Sequence, residues 1–230
     1  MCDGPGTYTD WRSITYRPAI TDLLPHALLP HISPGQAALD IGCNTGAVAL
    51  FLASQGMSVV GMDINEQAIS EAREYAEASG LARVVTFRVG DAADDVSGLG
   101  QFDVLTLIRV LTCFPSLDSW RSLLRNAYSL VKCGGLIYVH DFRYAEGSPT
   151  YQPRYELGAE LGWRKGNFAV HERGGQLSFV AHHHTRAEIE EITAPYSVLA
   201  LDYHTSLSMN GNRCEMFEFI GRKLRAPVTR

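Results

Sequence analysis

Two acids and one glycine turn carry the clearest chemical pattern in this 230-residue chain. Asp40 lies near the end of the apolar run Ala38-Leu39-Asp40-Ile41, and Gly42, Asn44 and Gly46 then make a turn that leads directly into a helical pattern. Asp63 closes a second apolar run, Val59-Val60-Gly61-Met62-Asp63. It falls about twenty residues on, where a carboxylate can accept both hydroxyls of a ribose. A dinucleotide loop needs a middle glycine so that backbone amides approach a pyrophosphate at a helix N-terminus. Asn44 stands at that position, and Asn tolerates a positive φ better than other non-glycine residues. Asp40 would repel a diphosphate and would suit an ammonium. The expected ligand therefore joins a ribose to a cationic amine.

S-adenosyl-L-methionine carries both groups, and the residues that follow point the same way. Val84 to Ala92 reads as a third strand ending in Asp91, and Phe102 to Leu107 as a fourth. A helix over 117–131, the turn Lys132-Cys133-Gly134-Gly135 and a fifth strand from Leu136 to His140 complete the series. On these motifs the chain resembles the class I S-adenosylmethionine-dependent methyltransferases of the small-molecule type, most closely over 36–141. The resemblance implies a doubly wound, Rossmann-like α/β fold: a seven-stranded sheet with an antiparallel last strand and an inserted substrate cap. It implies cofactor contacts from Asp40, Gly42, Asn44, Gly46, Asp63 and Ile64, and from Asp91 and Ala92 near the adenine amino group. Near the N-terminus, Tyr8, Trp11, Tyr16 and Arg17 match a cluster that folds over the cofactor in similar enzymes. Tyr16 and Arg17 are counted among the cofactor-binding residues, Arg17 on the methionine carboxylate. Arg109, just past the fourth strand, is expected to meet a carboxylate and is counted with them.

Those motifs need a scaffold, and the composition supplies one. With 46% hydrophobic residues, the chain can bury one substantial core, so a single domain over 1–230 is expected. Its parts are an N-terminal lid (1–35), a cofactor-binding core (36–141), a cap region (142–184) and a C-terminal helix and hairpin (185–230). Strands alternate with helices, as βαβ crossovers in a parallel sheet require. Asn65 should cap the second helix and Gly80 end it. Between Pro18 and Ile32, prolines predict a short helix or two turns on the cofactor side. The formal charge of −5 argues against nucleic acid as acceptor, as does Leu107-Ile108-Arg109-Val110 where an Asn-Pro-Pro-Tyr-like run would mark amino methylation of bases. With no span of membrane length and no signal-peptide pattern, a cytoplasmic location is expected. The five cysteines are scattered, without a Cys-x-x-Cys pair, and read as reduced thiols.

From Phe142 to Gln176 the chain is irregular and aromatic. It reads as a substrate cap at the carboxyl edge of the sheet, where open α/β folds bind ligands. Tyr144, Tyr155, His182 and His184 are the expected substrate-binding residues. His182-His183-His184 precedes Thr185 and Glu188, which have the spacing of a capping box. No metal site is expected there, because no carboxylate or thiolate sits at a familiar ligand spacing and three adjacent histidines cannot converge from one strand. Similar family members carry a histidine-rich stretch before this helix, which implies a substrate wall. His140, at the end of the fifth strand, is the expected general base, with Asp141 orienting it or binding substrate. The implied reaction is methyl transfer to an O, N or C atom of a small molecule. The alternatives are non-methylating chemistry with the same cofactor and a non-catalytic binding module. Oligomeric state is not legible.

Overall fold

A computed structural model describes residues 24–94, 96–171, 177–208 and 211–224. The core is a seven-stranded sheet of order β3-β2-β1-β4-β5-β9-β8. Strands β1 (Ala37–Ile41), β2 (Ser58–Asp63), β3 (Val85–Val89), β4 (Phe102–Ile108) and β5 (Val131–Phe142) run parallel. β9 (Arg213–Lys223) is antiparallel both to β5 and to β8 (Tyr196–Leu207), as expected of the last strand. The order reverses between β1 and β4, which opens a crevice at their carboxyl ends.

Helices cover both faces because the central strands bury both. On one face Leu39, Leu105, Leu107, Val139 and Phe217 pack with Trp120 and Leu123 of helix α3 (Leu117–Leu130). On the other, Ala38, Val59, Val104 and Leu136 meet Leu52 of α1 (Ala47–Ser54) and Ile69 of α2 (Glu66–Ala78). Consecutive strand residues serve opposite layers, as the two-residue repeat demands. Asn65 caps α2, its side chain accepting from the Ala68 amide at 2.9 Å.

Three expectations change. The Lys132–Gly135 turn is a bulge within β5, whose pairing with β4 shifts register between Phe102 and Val104 while Gly134 takes φ +80°. The segment after Ala145 is regular: helix α4 (Gln152–Glu160), then a separate antiparallel pair, β6 (Asn167–His171) and β7 (Leu177–His182). Pro153 sits in the first turn of α4, where a missing N–H costs nothing. Gly158 lets α4 lie against the Asn167 carbonyl where any Cβ would clash. Finally, the 3-10 turn His26–His31 packs Leu28 against the α1 layer and the His26 ring edge-on to Phe51, 5.2 Å between centroids. It does not line the crevice, so the described part of the lid acts as core packing. Tyr8, Trp11, Tyr16 and Arg17 lie outside the described residues.

Replacing Asn65 with Ala should cost about 1 kcal/mol of unfolding free energy in urea denaturation, the usual worth of an N-cap. No change would mean that α2 is held by packing alone.

Candidate functional site

The carboxyl ends of β1, β2 and β4 enclose a cavity of about 190 Å³. Its floor is the glycine turn. Gly42 takes φ +70° and lies so close to Val110 that a Cβ would collide with that side chain. Gly46, at φ +86°, faces Phe87 and Ala72 in the same way, with ideal Cβ distances of 2.7 and 3.2 Å. Asn44 adopts φ +48°, the left-handed conformation that its residue type tolerates. Its amide, turned inward by that conformation, donates to Asp63 Oδ2 at 2.8 Å, while the Asn65 amide donates to Oδ1 at 2.9 Å.

Asp40 lies deeper. Thr106 Oγ1 donates to its Oδ1 at 2.7 Å, but Oδ2 is buried without a hydrogen-bond partner. Burial pushes its pKa up to about 7 against the lowering effect of Thr106, with the Asp63 charge adding to the rise. Burial also raises Asp63, opposed by backbone amides. Asp91, braced by the Ala93 amide at 2.9 Å, lines the far end with Ala92, and Ile64 and Arg109 line the walls. The Cys43 and Cys113 thiols are held well above their ordinary range by burial, which keeps them protonated and poorly nucleophilic.

Residues 39–137 match the family model described as a methyltransferase domain. The chain is 29% identical over 177 residues to a sterol 24-C-methyltransferase of Gibberella zeae, covering 72% of this chain and 45% of that protein. It is 34% identical over 106 residues to a ubiquinone biosynthesis O-methyltransferase of Pseudomonas paraeruginosa, covering 46% and 44%. A structure of SAM-dependent methyltransferases from Methanosarcina mazei superposes with a TM-score of 0.81 at 25% identity, over 88% of this chain and 99% of that one. In sequence and in fold the chain is similar to SAM-dependent methyltransferases. The chain spans about half the length of the curated relatives it matches.

The cofactor is S-adenosyl-L-methionine, and the cavity fits it. Asp40 Oδ2 is an unsatisfied anionic acceptor, which a cationic amine would satisfy. Asp63 is oriented by two amides and still has lone pairs for ribose hydroxyls. Of the expected cofactor residues, Asp40, Gly42, Asn44, Asp63, Ile64, Asp91, Ala92 and Arg109 line the cavity. Gly46 shapes the turn without lining it. Tyr16 and Arg17 lie outside the described residues.

His140 stands beside two lining residues, Ile108 and Arg109, without lining the cavity itself. It pairs with Ile108 across β4 and β5, and the Arg109 amide donates to its carbonyl at 2.8 Å. Its ring partner is not Asp141. His140 Nε2 lies 3.1 Å from Nε2 of His204, an exposed residue of β8. Burial, then the His204 and Arg109 charges, bring His140 down to about 3.

Asp141 is corrected by the two-residue repeat, which turns it to the opposite face of β5. There its carboxylate accepts from the Phe142 amide at 2.7 Å and the Thr112 amide at 3.3 Å. Burial raises its pKa to about 7. It therefore holds the turn after β4, whose residues Val110 and Cys113 line the cavity.

The expected substrate wall is also corrected. His182 and His184 are 0% exposed and Tyr155 5%. Tyr155 stacks on Tyr144 with centroids 4.4 Å apart and contacts His183 Nδ1 through its hydroxyl at 2.7 Å. Tyr155 and Tyr144 pack in a third apolar cluster with Phe142, Tyr151 and Phe168; of these Tyr144 alone is partly open, with Lys165 Nζ 4.9 Å above its ring. His204 is the residue that sequence reading left without a role, within the expected C-terminal hairpin. Its partner lies 64 positions away, and no local pattern signals such a pair.

Because Asp40 titrates near 7, its carboxylate form is depleted as pH falls. Affinity for S-adenosyl-L-methionine, measured by calorimetry, should drop by up to about tenfold per pH unit below 7. Asp40→Asn should bind weakly at every pH and lose this slope; an unchanged slope places the titration elsewhere. Asp63→Ala should weaken binding at least about tenfold through lost ribose hydrogen bonds, and unaltered affinity would remove Asp63 from the site.

Proposed function

We propose that this chain methylates an O, N or C atom of a small molecule, with His140 as general base and His204 as its proton partner. The observation that carries this reading is the 3.1 Å contact between the two imidazoles beside the cavity. Asp40, Asp63 and Asp91 hold the cofactor by its amine, ribose and adenine, with Gly42, Asn44, Gly46, Ile64, Ala92 and Arg109 shaping the walls. When bound, S-adenosyl-L-methionine supplies an electrophilic methyl group on a sulfonium. The protein's part is to align an acceptor with that group, exclude water and take the acceptor's proton.

Two neutral imidazoles in contact must share one N–H, so one ring donates while the other accepts. Buried and beside Arg109, His140 stays neutral at physiological pH and keeps a lone pair. Held so far below neutrality, it retains a captured proton poorly, and His204 on the exposed edge passes it to solvent. Arg109, 5.5 Å over the Phe142 ring and 3.4 Å from the Leu207 carbonyl, closes the lip between cavity and cap. We read 142–184 as the cap that excludes water, with Tyr144 on its open side, and all 230 residues as one domain. A small-molecule acceptor is supported by the sterol and ubiquinone named for the relatives. The acidic balance of the chain disfavours nucleic acid. No helix among the described residues is long and apolar enough to cross a membrane. The free thiols Cys43, Cys113, Cys133 and Cys214 support a cytoplasmic setting.

With an acceptor in hand, His140→Ala should lower kcat about 10²–10⁴-fold while leaving cofactor affinity nearly intact. At saturating cofactor the wild-type rate should show no protonation step near pH 6.5. A retained kcat in the variant, or a step at that pH, assigns the base to another residue.

A further inference from the structure

The three histidines at and just after the end of β7 take no part in this chemistry, and the first, His182, is tied to a largely buried carboxylate. Asn167 sets the protonation of the first. Its Nδ2 donates to the Pro115 carbonyl at 3.1 Å, so its Oδ1 faces His182 Nδ1, 2.7 Å away. That ring nitrogen must carry the hydrogen. The lone pair of a neutral His182 is then on Nε2, which lies 3.1 Å from Glu188 Oε2. A lone pair facing a carboxylate oxygen at that distance needs a positive centre between them.

His184 is a second, independent sign. Its ring is 4.8 Å from that of His182, centroid to centroid, and it is wholly buried with no hydrogen-bond partner at either nitrogen. Native interiors rarely leave such groups unsatisfied. Glu188, delivered by the first turn of helix α5 (Arg186–Thr193), completes the set. One ligand atom from each of the three residues lies within 4.8 Å of the others. No carboxylate at a familiar sequence spacing is expected here, yet the fold brings Glu188 to these histidines.

We propose that His182, His184 and Glu188 bind one divalent cation of the zinc class, which fastens the cap to the sheet. Two imidazoles and a carboxylate suit zinc. Ligand atoms at zinc's usual bond lengths stand roughly 3.4 Å apart, so the His182–Glu188 pair is already close and His184 has to draw in. The supporting shell is built. Asn167 Oδ1 fixes the His182 tautomer, as outer partners of metal-bound histidines do. Arg164 takes Glu188 Oε1 at 2.6 Å, and the Thr185 amide and hydroxyl, at 2.7 and 2.8 Å, orient Oε2 toward the ion. Asp141, 3.9 Å from His184 Nε2, sets a second carboxylate against that single guanidinium. None of the three ligands lines the cofactor cavity, so the ion is structural, and its presence does not depend on the proposed reaction.

The test uses untagged full-length protein, stripped with a chelator and titrated with Zn²⁺ in a calorimeter. About one ion per chain should bind, raising Tm by roughly 5 °C. A double variant, His182→Gln with His184→Gln, should lose that ion. Asn167→Ala, outside the ligand set, should weaken it about 10–100-fold. Should the variants fail to fold, X-ray absorption at the zinc edge of the wild-type protein decides. A nitrogen and oxygen shell with imidazole scattering upholds the site. Sulfur in that shell, equal binding by a folded double variant, or no stoichiometric uptake overturns it and leaves a protonated His182 paired with Glu188.

Discussion

One carboxylate organises the cofactor side of this molecule. Asp63 receives the amides of Asn44 and Asn65, so the turn after β1 and the turn after β2 are bound to a single side chain. A buried carboxylate is expensive, and hydrogen bonds to its charged form offset that cost. The geometry this demands propagates outward. Asn44 must be left-handed to aim its amide inward, and Gly42 and Gly46 must lack side chains because Val110 and Phe87 fill the space beside them. The strands then present Asp40 and Asp91 on either side of the same hollow. A ligand meets a cavity whose donors and acceptors are already oriented, so little of its binding energy is spent on ordering the loops.

The acceptor side is built on a different constraint. β5 carries His140 and Asp141 in succession, and its alternation splits them. One ring goes to His204; one carboxylate goes to the interior and braces the turn after β4. The same turn supplies Arg109, which has φ +56°, an uncommon conformation for a residue with a long side chain. The Arg109 amide is held by the His140 carbonyl, so the strained residue and His140 share one support.

Behind Asp141 the polar chain continues through His184, His182, Glu188 and Arg164 to the face of Trp120, where the Arg164 guanidinium lies 4.8 Å from the ring centroid. Such a network is costly unless its members are satisfied. It binds β6, β7, α5 and the loop before α3 where apolar packing alone would leave polar atoms stranded. The cap has its own aromatic cluster on the other side of β7, with His183 stacked on Phe142 at 5.0 Å. Alternate histidines therefore serve two interiors.

What the sequence by itself determined was local. The two-residue and 3.6-residue repeats, the Asn65 cap, the Thr185 box, the left-handed Asn44 and the acids ending β1, β2 and β3 depend on near neighbours, so they were legible with the cofactor they imply. The tertiary structure alone decided which distant side chains meet. Strand order brings His204 to His140 across 64 positions, and the β6–β7 pairing brings Asn167 to His182. Pro153 and Gly158 lie in the stretch that reads as irregular, and packing gives them places: the first turn of a helix for one, a close approach to Asn167 for the other. Tyr155, His182 and His184 read as a wall because their types suit a ligand. Burial is a property of the whole fold, and it turned them inward.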